Sequence, residues 1–177
     1  MLKPLYWRIY FFLKKRQSKL INKRLGNHVK AVIVDSANGI LATDPRDLEV
    51  GLKLRKHGSY GLAEISRISK LISPKSNVLI IGAHIGSLAI PISKKCSKLI
   101  AIEANPDNFK LLETNIQLNK SNNITAYNIA ASSTSEIINF QMNTVNSGGS
   151  KRVPINNKYI YRYDNPKIIE VQAHSLD

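Results

Sequence analysis

Acidic side chains are in short supply in this sequence: 12 Asp and Glu face 26 Lys and Arg, for a formal net charge of +14. Cysteine is nearly absent. The single Cys96 excludes an internal disulfide and fits a reducing compartment. With no histidine near it in sequence, it reads as a small buried side chain and not as a nucleophile. Long apolar runs are missing as well. The most hydrophobic stretch, Leu5–Leu13, has nine residues and is interrupted by Arg8, whereas a helix needs about twenty apolar residues to span a bilayer. Lys14, Lys15 and Arg16 follow it with no small-residue cleavage pattern, so it does not read as a secretory leader. No internal repeat is found. What is present is a chain of 177 residues, 43% of them apolar, enough for one domain with a substantial core.

The positive charge is concentrated at one end. Residues 1–34 hold nine Lys and Arg and no acid, whereas the remainder holds 17 basic and 12 acidic residues. Residues 1–27 read as a basic, aromatic helix running from Pro4 to Leu25 and closed by Gly26. Two readings of this helix carry equal weight. In one, Trp7, Tyr10 and Phe11 lie among lipid headgroups and Lys14, Lys15, Arg16 and Lys19 face anionic lipid, a peripheral contact at an inner membrane face. In the other, the aromatics pack on the domain. Nucleic acid is not expected as a partner, because no recognisable nucleic-acid module accompanies the charge.

Residues 28–177 read as an α/β domain built around Val78–Asn105. Val78–Ile81 is an unbroken branched apolar run, which predicts a strand buried on both faces, and it stops at Gly82. Gly82 and Gly86 permit a tight bend and a close helix start, with free N–H groups facing a ligand. Leu99–Ile102 predicts a second parallel strand ending in Glu103. A carboxylate about twenty residues beyond the first glycine is where nucleotide-binding folds hold two ribose hydroxyls. A dinucleotide loop, Gly-x-Gly-x-x-Gly, needs glycine in the middle, and His84 stands there. A nicotinamide oxidoreductase is therefore a weaker reading, and a plain βαβ unit without a ligand weaker still.

Around this centre, Val29–Val34 and Ile40–Thr43 predict a hairpin turning through Asp35–Gly39. Asp47–His57 and Leu62–Ile72 predict helices, the second amphipathic through Leu62, Ile65, Ile68 and Ile72. Pro106–Asn119 predicts a helix burying Phe109, Leu112, Ile116 and Leu118. Ile124–Ile129, Glu136–Met142 and Ile168–Ala173 predict strands, and Asn143–Ser150, with its Gly-Gly pair, a mobile loop.

Five segments carry a resemblance. Gly82-Ala-His-Ile-Gly86, Glu103-Ala-Asn-Pro-Asp-Asn-Phe-Lys-Leu-Leu112, Asn115-Ile-Gln-Leu-Asn119, Asn128-Ile-Ala-Ala131 and Asn146-Ser-Gly-Gly-Ser150 stand in this order. Together they resemble the FkbM family of class I methyltransferases, from about Asp44 to the end. The resemblance implies a Rossmann-like class I methyltransferase sheet with helices on both faces, preceded by the basic helix and the hairpin. It implies S-adenosyl-L-methionine as cofactor, at Gly82, Ala83, His84, Ile85, Gly86, Glu103 and Ala104, with Asn128 and Ala130 beside the adenine. It also implies O-methylation of a sugar or other hydroxylated metabolite in the cytoplasm, hence a small-molecule or glycan acceptor.

The sequence departs from that family in places. Ile80 stands where the family carries an acid that orients the cofactor's ammonium group, His84 where it usually has Asn, and Tyr60 is followed by Gly61 instead of an acid. Beyond Ser175-Leu-Asp177 the family continues through further strands, so the sheet is expected to be incomplete. Its C-terminal half would be absent and its open edge prone to self-association. No catalytic residue and no metal ligand is nominated. The alternative expectation is a truncated, non-catalytic remnant of the fold acting as a binding or interaction module. Asp164-Asn-Pro-Lys167 resembles a motif of nucleic-acid amino-methyltransferases, but it lacks the proline and aromatic that would clamp a flipped base.

Overall fold

The computed structural model describes residues 3–154 and 166–176; Asp164, Asn165 and Asp177 lie outside the described residues. Helix α1 (Lys3–Leu25) leads to a hairpin of β1 (Val32–Ser36) and β2 (Gly39–Thr43), then to helices α2 (Val50–His57) and α3 (Leu62–Leu71). An alternating run follows: β3 (Asn77–Ile81), α4 (Ala89–Ser93), β4 (Lys98–Ile102), α5 (Pro106–Leu118) and β5 (Ile124–Tyr127). The last part contains β6 (Ala130–Ala131), β7 (Glu136–Met142), a 3₁₀ turn at Ser147–Gly149, β8 (Lys151–Arg152) and β9 (Lys167–His174).

Strands β3, β4 and β5 form the expected parallel Rossmann-like sheet, in that order, with Asn77 opposite Lys98 and Leu99 opposite Ile124. Leu41, Leu54, Ile90, Ile92, Leu99 and Leu112 are fully buried against it. Gly86 makes that packing possible: a Cβ there would sit 2.8 Å from Leu112 Cδ1. The expectation of burial on both faces fails for β3. Leu79 and Ile81 are 49% and 56% exposed, and Tyr127 of β5 is 48% exposed. Alternate strand residues point to opposite faces, and here one face carries the core while the other is open among the described residues.

The hairpin starts three residues later than its pattern predicts and turns through Ala37-Asn38, with Ser36 opposite Gly39 at φ +113°. Helix α2 begins at Val50 and not at Asp47 because Asp47 Oδ1 accepts the Glu49 N–H at 2.7 Å, a local bond that competes with the helix. The strand expected to reach Ile129 stops at Tyr127. The chain then enters a second sheet of order β6-β9-β7-β8, in which only the β6–β9 pair is parallel.

Helix α1 rests on the domain through Ser18, whose buried hydroxyl donates to the Arg46 carbonyl at 2.8 Å. Trp7 stacks on Phe11 and Tyr6 on Tyr10, with ring centroids 5.8 and 6.2 Å apart. Its outward side leaves Ile9, Phe12 and Leu13 exposed beside Arg16, Lys19 and Lys23. Among the described residues no helix is long and apolar enough to cross a membrane.

Candidate functional site

A cavity of about 230 Å³ lies between the ends of β3 and β4 and the second sheet. Gly82, His84, Glu103 and Ala104 line one side of it, and Ala130, Ile138, Phe140 and Ser147 the other. Glu103 is buried, and both of its oxygens are engaged by backbone: Oε2 accepts the His84 N–H at 2.7 Å and Oε1 the Asn105 N–H at 2.8 Å. A Cβ at Gly82, where φ is +77°, would meet nothing within 4 Å, so this glycine leaves open space beside the acid. The loop amides are not free as expected. Gly82 and Ala83 both donate to the Ile102 carbonyl, at 2.8 and 2.9 Å, because the loop folds back onto the end of β4.

His84 links three distant segments. Its backbone sits at φ +54°, a left-handed conformation uncommon outside glycine, and its side chain is buried. Nε2 lies 2.6 Å from Ser147 Oγ, which in turn lies 2.6 Å from Asp47 Oδ2. Burial pushes the His84 pKa down to about 4, against the upward pull of the Glu103 carboxylate. Burial likewise raises Asp47, while the Ser147 hydroxyl and the Glu49 amide draw it back. The segment 143–150, expected to be mobile, is a pinned wall: Asn143 Nδ2 donates to the Gly149 carbonyl at 2.7 Å, and Ser150 Oγ to the Ser147 carbonyl at 2.8 Å. Asn108 Nδ2 donates to that same Ser147 carbonyl at 3.3 Å.

Of the residues nominated from sequence, the cavity brings together Gly82, His84, Glu103, Ala104 and Ala130. The others stand behind it. Ala83 and Ile85 are buried in the core, Gly86 packs on Leu112, and Asn128 Nδ2 donates to the Glu103 carbonyl at 2.7 Å. Asp47 and Ser147 were not nominated. The only trace of Ser147 in the sequence is its place in the Asn-Ser-Gly-Gly-Ser segment, and Asp47 has none. Cys96 is buried, 3.8 Å from the Ser93 carbonyl, and burial raises its thiol pKa, in keeping with a packing role.

The model of the TRM5/TYW2 methyltransferase domain matches residues 57–146, just over half of the chain, and includes the glycine loop, Glu103 and α5. The chain belongs to the TRM5/TYW2 methyltransferase domain family. The class I fold expected from sequence stands, and the family is one of methyltransferases, in keeping with the S-adenosyl-L-methionine expected as cofactor. Similar solved structures include Trm5b from Pyrococcus abyssi, at 27% identity and a TM-score of 0.46, covering 57% of this chain and 28% of that one. TYW2 from M. jannaschii in complex with AdoMet is 24% identical, TM-score 0.46, over 55% of this chain and 42% of that one. The complex of aTrm5 and tRNALeu gives 28%, TM-score 0.44, 56% and 28%. This chain thus spans well under half the length of each, and the assignment rests on the sequence match over residues 57–146. A comparison with curated proteins returns no match.

Two expectations are overturned. The resemblance to the FkbM family gives way to TRM5/TYW2, and the glycan acceptor inferred from it loses its support. The motifs that carried that resemblance form the cofactor loop, the acid and the helix behind them. They report on the cofactor side of the fold and say little about the acceptor. The exclusion of nucleic acid is overturned as well: the solved relatives of this domain include a tRNA methyltransferase and one protein in complex with tRNALeu.

Proposed function

We propose that this chain is the cofactor-holding unit of an S-adenosylmethionine-dependent methyltransferase whose acceptor is a transfer RNA. In this reading residues 28–177 make up that unit, and the basic helix α1 (Lys3–Leu25) is appended before it. The observation that carries the reading is Glu103, a buried carboxylate fixed by two backbone donors beside the open space at Gly82. Each oxygen keeps a lone pair for a ribose hydroxyl. The apolar wall of Ile102, Ala130, Ile138 and Phe140 suits a purine ring. Gly82, His84, Glu103, Ala104 and Ala130 touch the cofactor in this reading, and Ala83, Ile85, Gly86 and Asn128 shape the backbone behind them.

The cavity, about 230 Å³, is smaller than the roughly 300–1,000 Å³ of most small-molecule sites, so in this reading it encloses part of the cofactor and the rest extends beyond it. When bound, the sulfonium supplies an electrophilic methyl group. The chain's own task is to hold the ribose and present that methyl to the acceptor in line. A net charge of +14 favours a polyanionic acceptor.

Calorimetric titration of the folded chain with S-adenosylhomocysteine tests the reading. Micromolar binding is expected, weakened about tenfold or more in Glu103→Ala, whose fold is checked by circular dichroism. Labelled methyl should then pass to tRNA. No heat from a folded chain would leave a binding module of this fold without transfer.

A further inference from the structure

The His84 ring is held by one edge only. Its Nε2 faces Ser147 Oγ at 2.6 Å, and the Ser147 hydroxyl reaches Asp47 Oδ2 at 2.6 Å. A serine hydroxyl has a single hydrogen to give. Asp47 takes it: the Ser147 hydroxyl donates to Oδ2, and Oδ1 already accepts the Glu49 N–H at 2.7 Å. Ser147 must then accept from His84, whose proton sits on Nε2. Nδ1 is left as a bare acceptor, and it is buried with no hydrogen-bond partner. Buried polar atoms are rarely left so. A donor that enters with a ligand removes the deficit.

That ligand's chemistry narrows the donor. S-adenosylmethionine carries ribose hydroxyls, an adenine amino group and an α-ammonium. Among the described residues Glu103 is the only carboxylate lining the cavity, and it suits the ribose, while the apolar wall suits the adenine. The ammonium is left to find an acceptor. His84 lines the cavity next to Ser147 and is neutral at pH 7, so it does not repel a cation.

Resting on the cofactor reading above, we infer that His84 Nδ1 accepts a hydrogen bond from the α-ammonium of the cofactor's methionine part, and that Ser147 and Asp47 are positioning residues that hold the ring in the Nε2-protonated form.

The test compares two ligands and one spectrum on the intact chain. S-adenosylhomocysteine has the ammonium; 5′-methylthioadenosine keeps the adenosine and lacks it. His84→Ala should weaken the first about tenfold and leave the second within about twofold, and His84→Asn, which keeps an acceptor and tolerates the left-handed backbone, should recover part of the loss. In ¹⁵N-labelled protein, two-bond histidine correlations should show Nε2 protonated, with the Nδ1 resonance moving on addition of S-adenosylhomocysteine but not of 5′-methylthioadenosine. Ser147→Ala should shift the tautomer balance. Equal losses for both ligands, or an Nδ1-protonated ring, would overturn the inference while leaving the cofactor reading in place. Failure of the unmutated folded chain to bind either ligand would overturn both.

Discussion

At the scale of single residues, His84 concentrates the unusual features of the chain: positive φ, burial and a depressed pKa. These make it a pH-dependent weak point. The native ring stays neutral down to about pH 4, whereas in the unfolded chain it binds a proton below about 6.5. Between those values the unfolded state holds more protons, so the His84 contribution to stability rises with pH across the window and is lost as the pH falls. The full loss is about 3 kcal/mol for a shift from 6.5 to about 4. Asp47 acts in the opposite sense, since its raised pKa lets the native state keep a proton above the usual carboxylate range. Comparing His84→Asn with the parent isolates the histidine. Urea unfolding at pH 4, 5 and 6.5 should show the slope in the parent and its absence in the variant; parallel curves would mean that the ring titrates normally.

Among the secondary-structure elements, α5 does more than cover the sheet. Its Asn115 accepts the Ala42 N–H at 2.6 Å and donates to the Ala42 and Ile85 carbonyls at 3.1 and 2.8 Å. One turn later, Asn119 accepts the Ile40 N–H and donates to the Ile40 carbonyl. Two amides spaced i, i+4 on one helix face thus substitute for a neighbouring strand along the edge of β2, and Asn115 ties that edge to the cofactor loop. The predicted apolar face of this helix was partly right: Leu112 is buried, but Asn108 and Asn115 are buried with it and Leu118 is exposed. Asn115→Leu should cost about 3 kcal/mol in chemical denaturation, because three buried backbone groups lose their partner. Asn119→Leu, at the exposed end, should cost about 1 kcal/mol. Equal, small effects would show that the hairpin is held by packing alone.

For the molecule as a whole, charge is the dominant property. The outward side of α1 carries Arg16, Lys19 and Lys23, all exposed and outside the matched segment 57–146. If tRNA is the acceptor, its affinity should fall steeply with salt, and alanine at these three positions should lower the logarithmic salt slope by roughly 0.9 for each phosphate contact removed. Filter binding between 50 and 200 mM salt measures it. An unchanged slope would place the RNA contact elsewhere on the surface.

Much of the cofactor side of the fold was legible in the sequence because the signals are local. An apolar strand ending at Gly82, an acid at the tip of the next, and Asn105-Pro106 opening α5, where Asn105 Oδ1 accepts the Asp107 N–H at 3.0 Å, each need only a few neighbouring residues. The same locality explains what misled. The branched run of β3 looked buried on both faces, since a sequence cannot tell whether a second layer covers a strand, and motifs shared on the cofactor side were read as one family when the domain belongs to another. Only the tertiary structure joined Asp47, Ser147 and His84, across sequence separations of 63 and 100 residues. Such contacts are set by how separate segments pack, and packing over that distance leaves no periodicity or spacing in the chain to read.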